Sequence, residues 1–123
     1  MSFIDARRLA PGTAIRADVC VVGSGAAGTT LAQELAGQGA SVALIESGDR
    51  TFRHRTQFLY IGENAGVPNF ATTHSRFRQF GGSLTRWAGQ CRPFEAIDFE
   101  ARAWVPGSGW PFGRDHLEPY YRR

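Results

Sequence analysis

Residues 18–46 constrain this chain more than any other stretch. Asp18-Val19-Cys20-Val21-Val22 is a short apolar run of strand type, and it feeds without a break into Gly23-Ser24-Gly25-Ala26-Ala27-Gly28. Downstream come Gly39, a second apolar run Val42-Ala43-Leu44-Ile45, and an acid, Glu46, where that run ends. A glycine hexad alone arises by chance. One that leaves a strand, opens a helix and is answered by an acid about twenty residues on is a dinucleotide-binding fingerprint.

Each residue type in the fingerprint has a physical reason. Gly23 suits the tight turn that leaves the strand, because no Cβ obstructs its backbone angles. Gly25 lets the main chain approach a pyrophosphate closely, and Gly28 removes bulk where the helix crosses the sheet. N–H groups at the helix start, near Ala26 and Ala27, present the positive end of the dipole to phosphate oxygens. Glu46 is placed to accept hydrogen bonds from the adenosine ribose hydroxyls, and its charge disfavours a ligand with a 2′-phosphate.

The remaining organisation follows from periodicity and breakers. A helix is expected over residues 26–36, with Ala27, Leu31, Ala32, Leu35 and Ala36 on its apolar face and Gly37 and Gly39 ending it. A strand over 41–45 follows, parallel to the first through a right-handed crossover. Residues 47–74 read as loop with one short helix near 55–60, and 75–80 alternate as an extended segment would. A second glycine turn follows, Gly81-Gly82-Ser83-Leu84-Thr85-Arg86-Trp87-Ala88-Gly89. Asp115 and Glu118 have capping-box spacing, yet Pro119 is expected to end that helix early. The expected layout is a leader over 1–16 and a partial dinucleotide-binding domain over 17–123. Within it, 17–48 form the βαβ unit, 49–92 a loop region with the second glycine turn, and 93–123 an aromatic loop and a truncated helix. The fold class is α/β, Rossmann-like and incomplete, since two parallel strands fall short of a stable doubly wound sheet.

Composition excludes several other readings. All 14 basic residues among the 123 are arginine, scattered along the chain at a net charge of +3. That is neither a dense basic stripe nor a nucleic-acid module, so no nucleic-acid partner is expected. Cys20 and Cys91 have no second cysteine at metal-ligand spacing, so no metal site is expected, and Cys20 reads as a buried thiol in a strand. No run reaches membrane-helix length, and residues 1–16 lack a secretory apolar core. A soluble cytoplasmic location is the default expectation.

With these blocks together, the chain resembles the amino-terminal part of the glucose–methanol–choline oxidoreductase family, nearest its sugar and polyol dehydrogenase and pyranose oxidase branch. The resemblance runs from the first glycine block through Leu44-Ile45-Glu46-Ser47-Gly48 and Phe80–Gly89 to Ser108-Gly109-Trp110-Pro111 and Leu117–Tyr121. It implies FAD as cofactor, with Gly23, Ser24, Gly25, Ala27 and Gly28 along the pyrophosphate and Glu46 at the ribose. It also implies that Gly81, Gly82, Ser83, Thr85 and Trp87 lie against the pyrophosphate and the isoalloxazine end. Arg86 stands where covalently flavinylated relatives carry histidine, which implies non-covalent FAD, and Arg86 itself reads as a charge balance or a surface ion pair. The implied reaction is oxidation of an alcohol or sugar CH–OH group with hydride transfer to flavin, with the electron acceptor left open. The implied base is a histidine near the family's carboxyl terminus. His54, His74 and His116 lie in no matching motif and read as solvated, so no catalytic residue is assigned. The alternatives are a non-catalytic dinucleotide-binding module, or the start of an amine oxidase or a fumarate-reductase type of flavoenzyme.

Overall fold

β1 (Val19–Val22) and β2 (Val42–Ile45) pair in parallel with the register Val19↔Val42, Cys20↔Ala43, Val21↔Leu44 and Val22↔Ile45. They are joined by the 12-residue helix α1 (Ala26–Gly37), giving a two-stranded βαβ unit of Rossmann-like connectivity. This computed structural model describes residues 2–122. Asp18 and Ser41 clamp the strand starts: the Asp18 carboxylate accepts from the Ser41 N–H at 2.9 Å and from its hydroxyl at 2.6 Å. Those bonds hold the Asp18 carboxyl below the usual aspartate range. At the other end, the Gly23 N–H donates to the Ile45 carbonyl at 2.7 Å and ties the first glycine turn to β2.

Only one face of the sheet is covered. Val21 points towards α1 and is 7% exposed, whereas Val22 is 81% exposed. Alternation along a strand sends neighbouring side chains to opposite faces. Cys20 therefore lies on the bare face with Val22, which corrects the expectation of a buried thiol. The helix also turns differently from its hydrophobic pattern. Gly28, Ala32 and Leu35, spaced i, i+4, i+7, are shielded together with Thr29, while Ala27, Leu31 and Ala36 are exposed. Gly28 leads that face because a Cβ there would run into the Gly23 carbonyl. The closest approach of helix and strand selects the face, and the larger leucine next to it does not.

After β2 the chain forms a run of short elements. These are α2 (His54–Gln57), a 3₁₀ turn over Phe58–Tyr60, α3 (Thr72–Ser75) and a 3₁₀ segment over Gly82–Arg86. The short helix expected near 55–60 is thus present as two joined turns. Gln57 organises this region. Its buried amide donates to the carbonyls of Thr73 at 2.7 Å and Arg76 at 2.6 Å, and its oxygen accepts from the Arg78 N–H at 3.0 Å. Asp49 and Gln79 form an isolated parallel bridge, and Gly48 is needed there because a Cβ would overlap the Gln79 backbone.

The chain divides into two compact units, Met1–Trp87 and Ala88–Arg123. The second carries α4 (Ala96–Phe99) and α5 (Arg114–Tyr121) around a small aromatic cluster. Phe99 is its buried member, with Phe94 at 6.0 Å and Phe112 at 6.2 Å between ring centroids. The capping-box spacing at Asp115 and Glu118 does not mark the start of α5. The N-cap is Gly113, which places Asp115 inside the first turn. Pro119 does not stop the helix either; it sits within it and removes only the donor that would reach the Asp115 carbonyl. Such reciprocal geometry occurs instead at α4, where the Asp98 carboxylate accepts the Glu95 N–H at 2.8 Å.

Candidate cofactor site

A cleft of about 310 Å³ opens at the carboxyl ends of the two strands. Ligands of open α/β sheets bind at this end, outside the strand termini. Gly23, Gly25, Glu46, Gly82 and Ser83 line it, so residues from both glycine turns and the acid after β2 share one wall. Tyr60, Arg76 and Arg78 close it from the segment that Gln57 holds.

The backbone fits a ligand with a close-lying phosphate chain. Gly23 has φ of +95°, a left-handed conformation that releases the chain from β1 towards α1. A Cβ built on Gly25 would meet no atom within 4 Å, so the main chain there faces open space. Gly25 is also the N-cap of α1, and the dipole of a 12-residue helix starts at this point. The second turn approaches the first closely: a Cβ on Gly82 would lie 3.4 Å from the Gly25 Cα.

Glu46 is the best-anchored polar group in the cleft. One carboxylate oxygen accepts from the Ser24 N–H at 3.0 Å and the Ser24 hydroxyl at 2.7 Å; the other accepts from the Gly48 N–H at 2.8 Å. Partial burial pushes its pKa up, but the donors of Ser24 and Gly48 outweigh this and hold it below the usual glutamate range. The group is a carboxylate at neutral pH. Of the roughly four acceptor positions that a carboxylate offers, the fourth is held only by a long 3.5 Å bond from the Ser47 hydroxyl, and it is the one a ligand hydroxyl can take.

The other residues singled out from sequence are placed as follows. The Ser24 side chain is fully buried beneath the cleft, and its hydroxyl accepts from the Gly81 N–H at 2.9 Å. Gly28 packs under the turn and Ala27 is exposed on α1. The Ser83 hydroxyl accepts from the Phe77 N–H at 3.3 Å, and the Thr85 hydroxyl donates to the Gly82 carbonyl at 2.9 Å. Thr85 and Trp87 do not line the cleft. Arg86 makes no ion pair among the described residues; its guanidinium stacks over Phe77 at 4.9 Å and Phe52 at 5.7 Å. His54, His74 and His116 are exposed and none lines the cleft.

Two residues of the site escape sequence reading. Arg78 lies over the Tyr60 ring at 4.2 Å and donates to the Ser47 hydroxyl at 2.8 Å, while its Nε is buried without a partner. Gln57 places that arginine although it is remote in sequence. The arginine-aromatic alternation of 75–80 hints at the first, and nothing local hints at the second. Among the described residues no group of three or more His, Cys, Asp or Glu is placed to hold a metal, and no helix is long and apolar enough to cross a membrane.

The geometry is that of a dinucleotide-binding βαβ unit, and residues 16–58 match the family model described as the FAD binding domain. The cofactor is FAD. The chain is 33% identical to 6'''-hydroxyparomomycin C oxidase of Streptomyces lividus, a match covering 92% of this chain and 23% of that protein. It is 30% identical to paromamine 6'-oxidase of Streptomyces fradiae, over 85% of this chain and 21% of the relative. The chain therefore spans less than a quarter of the length of the curated relatives it matches. No solved structure matches it. These matches correct the resemblance to the glucose–methanol–choline family, because the model that fits is the FAD binding domain and that other family gives no signal. The first block cannot separate one flavoprotein family from another, and the short later blocks on which the resemblance also rested do not do so by themselves. A strand, a glycine hexad and an acid are dictated by the shape of the cofactor, so flavoproteins of different families share them.

Proposed function

We propose that this chain supplies the FAD site of a flavin-dependent oxidoreductase that oxidises a CH–OH group of a sugar-like, aminoglycoside-type alcohol. The observation that carries the site is the shared wall: two glycine turns and Glu46 face one cleft, and Gly25 opens onto empty space within it. The names of the two oxidases support the substrate class. In this reading Gly23, Ser24, Gly25, Ala27 and Gly28 form the pyrophosphate turn, and Glu46 accepts a ribose hydroxyl. Gly81, Gly82 and Ser83, with Thr85 and Trp87 beyond them, form the second turn towards the flavin end. FAD is held without a covalent bond, and no histidine or cysteine lines the cleft.

FAD, when bound, supplies the two-electron acceptor that no amino-acid side chain provides. The chain's own contribution is binding and orientation. Main-chain donors at the start of α1 face phosphate oxygens, and Glu46 fixes the adenosine half by a charge-assisted hydrogen bond. Arg76 and Arg78 bring positive charge to the same cleft. The test is to load the intact protein with FAD, exclude oxygen, and add paromamine or a simple sugar. Bleaching of the oxidised flavin band by paromamine is the expected result. A flavin that neither paromamine nor any sugar or simple alcohol can bleach would overturn the reading.

A further inference from the structure

Ser24 belongs to a turn that faces phosphate, yet its side chain faces the protein. It is the one fully buried polar side chain among the described residues, at 0% exposure. Its hydroxyl donates to the Glu46 carboxylate at 2.7 Å and accepts from the Gly81 N–H at 2.9 Å. Gly81 is 57 residues away in sequence and has φ of +88°, so the second turn reaches this bond through a conformation that favours glycine. The Ser24 carbonyl is also occupied, accepting from the Thr29 hydroxyl at 2.9 Å. One hydroxyl thus joins the acid after β2, the first glycine turn and the second glycine turn.

We propose that Ser24 is a positioning residue of the FAD site, fastening the second glycine turn onto the first so that the two grip one ligand. The inference rests on the FAD reading above and adds a role that glycine geometry alone does not supply. Glycine turns are permissive, and an unfastened one samples many conformations. The bond is part-buried, so losing it takes from the Gly81 N–H its protein partner and frees the second turn to move.

Two measurements on the intact protein test this. The first needs no ligand. In Ser24→Ala the Gly81 amide should exchange its hydrogen about tenfold faster, while amides of Val21 and Leu44 keep their rates, because one net hydrogen bond separates the variants. The second compares ligands. FAD should bind Ser24→Ala about tenfold more weakly, whereas AMP, which lacks everything beyond the first phosphate, should lose less than about threefold. Glu46 keeps the Ser24 and Gly48 N–H donors in the variant, so the ribose end stays held. Equal losses for FAD and AMP would mean general damage and would overturn the proposal, as would an unchanged FAD affinity. If the unmodified protein binds no FAD, the FAD reading fails, and the Gly81 exchange rate still decides whether Ser24 fastens the turn. Should Ser24→Ala not fold, Ser24→Cys keeps the shape of the side chain, with a larger sulfur that is a weaker hydrogen-bonding atom, and the same rates and ratios apply.

Discussion

Replacing Gly28 by alanine separates helix propensity from packing. Alanine in a helix interior is favoured over glycine by about 0.8–1 kcal/mol, so propensity alone predicts a more stable protein. The structure predicts the opposite. A Cβ at residue 28 would overlap the Gly23 carbonyl, while meeting Val21 Cγ1 at an ordinary contact distance of 3.4 Å. Overpacking typically costs about 1–3 kcal/mol. Here the obstacle is main chain, and its turn is pinned by the 2.7 Å bond from Gly23 to Ile45, so the cost belongs at the upper end. Setting about 3 against about 1 leaves a net destabilisation of about 2 kcal/mol. Gly37→Ala is the matched control: it ends the same helix, and its Cβ would meet nothing within 4 Å. It should be neutral or stabilising by up to about 1 kcal/mol. Urea unfolding of both variants, followed by circular dichroism, measures the difference. A Gly28→Ala protein as stable as the parent would refute the claim that the helix crosses the sheet at this point.

Gln57→Leu should destabilise by about 2–4 kcal/mol, because it strips partners from two carbonyls and one N–H in a buried setting; chemical denaturation checks this. Arg78→Ala should cost about 1 kcal/mol through loss of its stacking on Tyr60 and its bond to Ser47, and should weaken FAD binding as well, read by fluorescence titration. Glu46 sets a pH dependence. Its folded-state pKa lies below the unfolded value, so its stabilisation is complete above the usual glutamate range and is lost as pH falls through the lowered value. Glu46→Gln should remove that acid-side loss from the pH–stability profile, and a profile unchanged by the substitution would contradict the assignment.

The βαβ unit is legible in the sequence because its determinants are local. Alternation of apolar residues, a glycine hexad and an acid at a fixed spacing lie within 29 consecutive residues, 18–46. What is not legible depends on contacts between distant segments. Gln57 looks like any polar residue beside an apolar run, and only its reach across to Thr73, Arg76 and Arg78 gives it a role. Ser24 reads as a small residue in a phosphate turn until Gly81 arrives against it. Cys20 reads as buried because strand alternation fixes that neighbours face opposite ways, and says nothing about which face is covered. At α5, the Asp115–Glu118 spacing matches a start signal that Gly113 pre-empts. The family resemblance misleads because the first block answers to the ligand, which different families share, and the later glycine- and aromatic-rich blocks are too short to fix a family alone.

The proposed placement of FAD is against the first glycine turn at Gly25, beside Glu46. Gly25→Ala tests it most directly, because the added Cβ meets no protein atom within 4 Å and the residue has an ordinary φ of −68°. The protein should therefore unfold at the same denaturant concentration as the parent, while its FAD dissociation constant, measured by fluorescence titration, rises at least about tenfold. A Gly25→Ala protein that keeps both its stability and its full affinity for FAD would show that the cofactor does not approach the chain there.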